Sequence, residues 1–374
     1  SDTSTLQLTM VAVNDPPVDG DETNSVTEDS TLTVADGAAG DLLNNATDID
    51  GGALSITGYS IAGISGTQAV GSPVGIPGVG SITINANGSY SFVPAANYTG
   101  AIPLVTYTVS DGNGGSDTST LQLTMVAVND PPVAVTDNYT MAEDGTPITL
   151  APLTGDSDID GNPLTVTSIN GTTLTPGVAQ TIPVTNGTVN VSAAGVITFT
   201  PAANFNGTVS FPYVISDGQG GTATANQVIT VTAVNDPPVD GNETNSVTED
   251  STLTVADGAA GDLLNNATDI DGGALSITGY SIAGISGTQA VGSPVGIPGV
   301  GSITINANGS YSFVPAANYT GAIPLVTYTV SDGNGGSDTS TLQLTMVAVN
   351  DPPVDGDETN SVTEDSTLTV ADGA

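Results

Sequence analysis

The residues of this chain that could do chemistry are almost all carboxylates. The sequence has 374 residues, with 39 Asp and Glu and no Lys, Arg, His, Cys or Trp, so its formal net charge is -39. Without His, Cys or Lys there is no catalytic triad, thiolate nucleophile, Schiff-base amine or imidazole metal site. An Asp/Glu glycosidase or a metal-assisted hydrolase would still be possible. We expect no enzyme, because Glu is scarce and every candidate acid is repeated.

The missing basic residues also argue against two kinds of partner. Binding of nucleic acids and of anionic membranes depends on Lys and Arg, which displace counterions from phosphates. No apolar run approaches the roughly 18 residues that a membrane-spanning helix needs. We therefore expect no nucleic-acid partner and no direct membrane insertion in this segment.

The acidic residues recur in four sequence contexts. Asp-Ile-Asp-Gly occurs three times, Glu-Asp pairs precede it, and an Asp opens each Asp-Gly-x-Gly-Gly turn. Each Asn-Asp-Pro-Pro adds a further carboxylate. In chain order the candidate metal ligands are Asp15, Glu28, Asp48, Asp50, Asp111, Asp130, Glu143, Asp158, Asp160, Asp217, Asp236, Glu249, Asp269, Asp271, Asp332 and Asp351.

This inventory of oxygens suits calcium. Two Asp at positions i and i+2 project to one side of an extended segment, roughly 6–7 Å apart at Cα, which leaves room for one cation. Ca²⁺ takes six to eight hard oxygen ligands, whereas Mg²⁺ is less suited to a cage of several carboxylates. The alternative is that these acids serve only turn formation and solubility.

The elements that position these acids belong to internal repeats. Asn-Asp-Pro-Pro begins at Asn14, Asn129, Asn235 and Asn350, with spacings of 115, 106 and 115 residues. Residues 18–132 and 239–353 are identical except that Asp21 is replaced by Asn242. A longer module, A, therefore occurs on both sides of a shorter module, B.

The repeats predict five segments. Module A is expected at 18–128, module B at 133–234 and the second copy of A at 239–349. Residues 1–13 repeat the last strand of an A module, and residues 354–374 repeat the start of one. We interpret the chain as a window from a longer array.

Short strand patterns predict an all-β fold. About seven strands in roughly 110 residues are typical of an immunoglobulin-like sandwich. Asn87-Gly88 and Ala194-Gly195 are expected to form hairpin turns, and the Gly/Pro-rich stretch Gly71–Gly80 is expected to be a surface loop. Repeated aromatic positions are predicted to lie in the cores: Phe92, Tyr98 and Tyr107 in module A, and Phe199, Phe205 and Tyr213 in module B.

The order of these motifs resembles a known family. Glu-Asp, Asp-x-Asp-Gly, Pro-Ala-Ala-Asn-(Tyr/Phe)-x-Gly, Tyr-x-(Val/Ile)-Ser-Asp-Gly and Val-Asn-Asp-Pro-Pro follow one another as in the cadherin-like tandem repeats of large bacterial surface proteins and adhesins. The resemblance covers both module types. It implies tandem cadherin-like β-sandwiches in a linear array, with Ca²⁺ between successive domains.

The resemblance also implies a ligand set for each joint. Asp15 would meet Asp48, Asp50 and Asp111; Glu28 and Asp130 would meet Asp158, Asp160 and Asp217; Glu143 and Asp236 would meet Asp269, Asp271 and Asp332; Glu249 and Asp351 would begin the next joint. Two departures weaken the match. Ala127 and Ala233 stand where cadherins usually have a linker Asp, and the mid-domain Asp-Arg-Glu has no counterpart. Fewer ions per joint, or weaker sites, are expected.

These features predict an extracellular, cell-surface segment of a filament, stalk or adhesin. Its expected partners are neighbouring modules of the same chain or filament, and divalent cations could support self-association. The alternative is an adhesion module that binds carbohydrate or like modules on another cell.

Overall fold

The computed structural model describes residues 3–370, and all regular elements in that range are β-strands. Val, Ile, Thr and Tyr dominate the alternating segments, and these side chains fit a pleated surface with one buried face. Within this range no helix has the length and apolarity that crossing a bilayer requires.

Module A is a sandwich of two four-stranded sheets. The first sheet has the strand order β1-β8-β7-β3, and the second has the order β2-β6-β5-β4. In the first sheet, β1 runs parallel to β8. The strands are β1 (Glu22–Thr27), β2 (Leu32–Val34), β3 (Ser55–Ile61), β4 (Val74–Ile76), β5 (Gly80–Ile84), β6 (Tyr90–Pro94), β7 (Val105–Ser110) and β8 (Ser116–Val126).

Module B has a four-stranded sheet, β10-β15-β14-β13, and a five-stranded sheet, β12-β11-β16-β17-β9. Its strands are β9 (Asp137–Ala142), β10 (Ile148–Leu150), β11 (Thr165–Ile169), β12 (Thr172–Thr173), β13 (Gln180–Val184), β14 (Gly187–Val191), β15 (Ile197–Pro201), β16 (Gly207–Ser216) and β17 (Thr222–Thr232).

The second A module repeats the topology of the first. Its sheets have the orders β18-β25-β24-β20 and β19-β23-β22-β21. Its strands are β18 (Glu243–Thr248), β19 (Leu253–Val255), β20 (Ser276–Ile282), β21 (Val295–Ile297), β22 (Gly301–Ile305), β23 (Tyr311–Pro315), β24 (Val326–Ser331) and β25 (Ser337–Val347).

The core of each module lies between its two sheets. In module A, β7 alternates strictly, so that Val105, Tyr107 and Val109 are buried while the residues between them are half-exposed. Phe92 faces the same core from β6 and is fully buried. The all-β sandwich prediction is confirmed. Of the predicted core aromatics, Phe92, Tyr107, Phe199 and Tyr213 are buried, whereas Tyr98 and Phe205 are half-buried.

The prediction of a surface loop at Gly71–Gly80 is wrong. Within this stretch Val74–Ile76 forms β4, which pairs antiparallel with Gly80–Ile82 of β5. The last residue of the stretch, Gly80, is the first residue of β5. Gly/Pro content indicated a loop, yet Val74 and Ile76 alternate around Gly75 and turn inward at the sheet edge.

The end segments show how far a strand depends on its partners. Residues 3–13 and 354–370 contain no strand and are exposed. The sequence of residues 3–11 recurs in β8, where it forms a strand between β1 and β7. Residues 1–2 and 371–374, which belong to the predicted end segments, lie outside the described residues.

The chain divides into two compact units. The first holds module A and most of module B; the second holds Thr140–Thr146, Pro201–Gly207 and the chain from Val231 onward. The acidic clusters described below each lie within one unit.

Candidate metal sites at the module joints

Glu28 is positioned by the last strand of its own module. It follows directly after β1, and its backbone N–H donates to the carbonyl oxygen of Val126 at 2.9 Å. Its Oε2 accepts a hydrogen bond from the Val128 N–H at 2.9 Å. Glu28 is only 2% exposed, and its Oε1 has no hydrogen-bond partner among the described residues. One oxygen is therefore anchored, and the other is free to bind a ligand.

The Asp-x-Asp-Gly segments form turns, which corrects the expectation of an extended segment. Asp158 Oδ1 accepts from the Asp160 N–H at 2.9 Å, and Gly161 adopts a positive φ of 76°. An Asp side chain that bonds to the backbone two residues on makes such a turn, which a following Gly readily completes. Asp158 Oδ2 is buried and has no partner in the described chain.

Three carboxylates converge after module A. One oxygen each from Glu28, Asp130 and Asp160 lies within 4.8 Å of the other two. The Asp130 N–H donates to Asp160 Oδ2 at 2.8 Å, which holds the linker against the Asp-x-Asp-Gly turn. Burial raises the pKa of Asp130, and the carboxylates of Asp160, Asp29 and Asp158 raise it further. Such a cluster is stabilised by a proton or by a cation.

The joint after module B repeats the hydrogen bonds of this arrangement. The Asp236 N–H donates to Asp271 Oδ2 at 2.6 Å, and Glu143 Oε1 accepts from the Val234 N–H at 2.7 Å. Burial raises the pKa of Asp236, and nearby carboxylates add to this effect, namely Asp144, Asp271, Glu143 and Asp269. Oδ2 of Asp236 and Oδ2 of Asp269 are buried without partners in the described chain.

The remaining predicted ligands fall into two more groups. Near the start of the chain, the Asp15 N–H donates to Asp50 Oδ2 at 2.6 Å, while Asp48 Oδ1 accepts from the Asp50 N–H at 2.8 Å. After the second A module, Glu249, Asp250 and Asp351 bring one oxygen each within 4.8 Å of one another. Asp250 is not among the ligands that the sequence predicts.

Asp111, Asp217 and Asp332 do not join these clusters as free ligands. Asp217 Oδ2 accepts from the Asn129 side chain at 2.6 Å, and its Oδ1 accepts from the backbone N–H groups of Gln219 and Gly221. The Asn129 hydrogen bond and these backbone donors lower the pKa of Asp217. Asp111 and Asp332 have the same environment, with Asn14 and Asn235 as the donors.

Sequence reasoning missed two supporting residues. The Asn of the first three Asn-Asp-Pro-Pro motifs ties the linker to an Asp-Gly-x-Gly-Gly turn, as Asn129 does with Asp217. Asp29 accepts from the Asn97 N–H at 2.8 Å and so fixes the Pro-Ala-Ala-Asn turn. Each was visible only as a recurring residue of its motif, because the bonded partners are 88 and 68 positions apart.

Comparison with protein families matches each complete module. The bacterial cadherin-like domain matches residues 14–127 and 235–348, and the bacterial Ig domain matches residues 129–230. No match was found among curated proteins.

Solved structures share the fold at low sequence identity. Extracellular cadherin domains 1–5 of protocadherin gamma B2 align with a TM-score of 0.53 and 15% identity, covering 91% of this chain and 61% of that one. Mouse cadherin-23 EC22–24 aligns with a TM-score of 0.51 and 16% identity, covering 90% of this chain and 100% of that one. The chain thus spans about three fifths of the protocadherin fragment.

Proposed function

The chain belongs to the family of bacterial cadherin-like domains, with a bacterial Ig domain between its two cadherin-like modules, and on this premise we propose an extracellular structural role. It is a repeat segment of a surface filament, stalk or adhesin, and calcium at the joints stiffens it. Domains of these two families are typically non-enzymatic structural modules.

The observation that carries the proposal is the cluster of Glu28, Asp130 and Asp160. Their oxygens lie within 4.8 Å of one another, and buried oxygens of Glu28 and Asp130 lack donors in the described residues. The sequence has no Lys, Arg or His that could neutralise them. Hard carboxylate oxygens that lack donors are the ligands that Ca²⁺ takes.

The three ligands come from three parts of the chain. Glu28 belongs to module A, Asp130 to the linker, and Asp160 to module B, so an ion held by all three links one module to the next. Bound calcium would supply the positive charge that this joint lacks. Without it the carboxylates repel, at about 1 kcal/mol for a pair 4 Å apart in water and more where solvent is restricted. Asp158 Oδ2, or Asp269 Oδ2 at the next joint, would add a further ligand.

Near-identity of the two A modules supports a structural role over a unique binding site. Since residues 18–132 and 239–353 differ at one position, the chain gains length by repetition. The alternative, recognition of carbohydrate or of like modules, has less support. All ten Tyr and five Phe lie within residues 3–370, where none is exposed, so they offer little aromatic surface for a sugar.

The test removes the joint ligands without changing their size. In the chain carrying Glu28→Gln and Glu143→Gln, calcium should bind less tightly and raise the melting temperature less than in the unsubstituted chain. At a hundredfold excess over Kd, each lost site corresponds to about 2.7 kcal/mol of stabilisation.

The matched control is Asp36→Asn with Asp257→Asn. It removes the same charge from two exposed turn residues outside the joints. The proposal fails if the Glu variant and this control respond equally to calcium in titration calorimetry and thermal melts.

A further inference from the structure

Each A module has a second acidic site, in its body and apart from the joint ligands. Glu22 begins β1 and is 8% exposed. Its Oε2 accepts a hydrogen bond from the hydroxyl of Tyr107, which lies in the centre of β7. Glu22 Oε1 is buried and has no hydrogen-bond partner in the described part of the chain. The second copy repeats this arrangement with Glu243 and Tyr328.

Asp19 brings a second carboxylate to the same pocket. Both of its oxygens are buried and without partners among residues 3–370, although they face the hydroxyls of Tyr107 and Ser119. The backbone of Asp19 is held in place because its N–H donates to Asp117 Oδ2 at 2.9 Å. Asp19 as a residue is half-buried, but its carboxylate oxygens are not exposed.

The pocket holds more acceptors than donors. The carbonyl oxygens of Gly20 and Leu42 each lie 3.3 Å from the Tyr107 hydroxyl, which has one proton and already donates it to Glu22. These two carbonyls, the Asp19 carboxylate and Glu22 Oε1 together present five oxygens. The other nearby donors are the Ser119 hydroxyl, which lowers the pKa of Asp19, and the Asn45 amide, which lowers that of Glu22. The five oxygens still outnumber the protons that these groups offer, and a buried acceptor without a donor is costly.

Module B has a different set of side chains at the equivalent position, where the carboxylates have hydrogen-bond donors. Asp137 begins β9 as Glu22 begins β1, and Oδ2 of Asp137 accepts from the amide of the fully buried Gln227 at 2.6 Å. Val18 and Val133 occupy equivalent isolated bridges, so the residue equivalent to Asp19 is Ala134. Module B has a second carboxylate here as well, Asp156, but it accepts from the Tyr213 hydroxyl and the Val135 N–H. In the described residues, neither Asp137 nor Asp156 has a buried oxygen without a donor.

We propose that each A module binds a calcium ion in this pocket, through the Asp19 carboxylate, Glu22 Oε1 and the carbonyl oxygens of Gly20 and Leu42. A divalent ion neutralises both carboxylates, whereas a shared proton neutralises one. The donors are hard oxygens on a flexible set of backbone and side-chain groups, as Ca²⁺ requires. The equivalent ligands in the second copy are Asp240, Glu243, Gly241 and Leu263. This site does not depend on calcium at the joints.

The experiment uses the full chain with Asp19→Asn and Asp240→Asn, and Asp137→Asn serves as the module B control. Calcium stoichiometry from equilibrium dialysis should fall by one ion per A module in the double variant and stay unchanged in the control. A second variant, Asp19→Ala with Asp240→Ala, introduces the residue that module B carries. It covers the case in which the asparagine variant fails to fold.

Thermal melts give an independent test, because the change in melting temperature should have opposite signs in calcium and in chelator. The double variant should melt below the unsubstituted chain in excess calcium, because it has lost a bound ion. It should melt above it in chelator, because one of two repelling buried charges is gone. Unchanged stoichiometry, or a higher melting temperature in both conditions, would overturn the proposal and leave a proton-sharing pair.

The joint variant Glu28→Gln with Glu143→Gln separates the two classes of site. It should keep the pocket ions while it loses joint ions. A chain that binds no ion at the joints but one per A module would contradict the proposed function and leave this inference standing.

Discussion

At the scale of single residues, burial decides what the carboxylates do. Burial, with a smaller effect from the neighbouring Asp19 or Asp240, raises the pKa of Glu22 to about 7 and that of Glu243 to about 6, although hydrogen bonds from the Tyr hydroxyl and from Asn45 or Asn266 oppose the rise. The charge of Asp21 also raises the pKa of Glu22, and the second copy has Asn242 in place of Asp21. The one difference between the two A modules therefore lies beside this pocket.

This shift predicts a pH dependence of stability in chelator. Between the ordinary Glu value of 4.5 and about 7, the folded chain holds the Glu22 proton more tightly than the unfolded chain does. The stabilising effect is complete at the acidic end of this window and is lost as the pH rises through about 7. Thermal melts should therefore show falling stability across the window for module A. In Glu22→Gln with Glu243→Gln this fall should be smaller, because the other carboxylates with raised pKa values remain, and a fall of the same size in that variant would contradict the assignment.

The turn carboxylates titrate in the opposite sense. Hydrogen bonds from Asn14, Asn129 and Asn235 lower the pKa values of Asp111, Asp217 and Asp332. Their stabilising effect is present above the ordinary Asp value of 3.8 and is lost as the pH falls through the lowered folded values. They therefore affect stability at a more acidic pH than Glu22 does.

At the scale of elements, the β4–β5 hairpin depends on a glycine. Gly80 has a φ of 151°, and a Cβ there would lie 2.3 Å from the carbonyl oxygen of Val93. Gly80→Ala with Gly301→Ala should destabilise each A module by about 1–3 kcal/mol, since side chains strain this backbone region. Gly75→Ala with Gly296→Ala is the control, because no atom lies within 4 Å of a Cβ at either position. Urea unfolding compares the two, and equal midpoints would contradict this role for Gly80.

The sequence allowed some elements to be predicted because their signals are local. The Asn87-Gly88 turn between β5 and β6 needs only a positive φ, which Gly88 adopts at 89°. The strand β1 has no such local signal, since Glu22–Thr27 is mostly polar and pairs in parallel with a strand about a hundred residues away. The joint acids Glu28, Asp130 and Asp160 were expected from their repetition. The pairing of Asp217 with Asn129 was not, because it depends on the folded arrangement of distant segments.

At the scale of the whole molecule, a net charge of -39 without any basic residue opposes lateral association. Divalent cations that bind joint and pocket carboxylates reduce this charge. We therefore expect that self-association depends on calcium. Static light scattering should show a higher average mass in calcium than in sodium at equal ionic strength. Association in sodium with chelator present would contradict this expectation.

The central claim is that calcium at the joints stiffens the array, and small-angle X-ray scattering of the full chain tests it most directly. The account predicts a larger maximum dimension and a narrower range of distances in calcium than in chelator. Glu28→Gln with Glu143→Gln should give the chelated profile even in calcium, while Asp19→Asn with Asp240→Asn should keep the calcium profile. Identical profiles in calcium and in chelator for the unsubstituted chain would contradict the claim, and the Pro-Pro linkers and domain packing would then account for the joints.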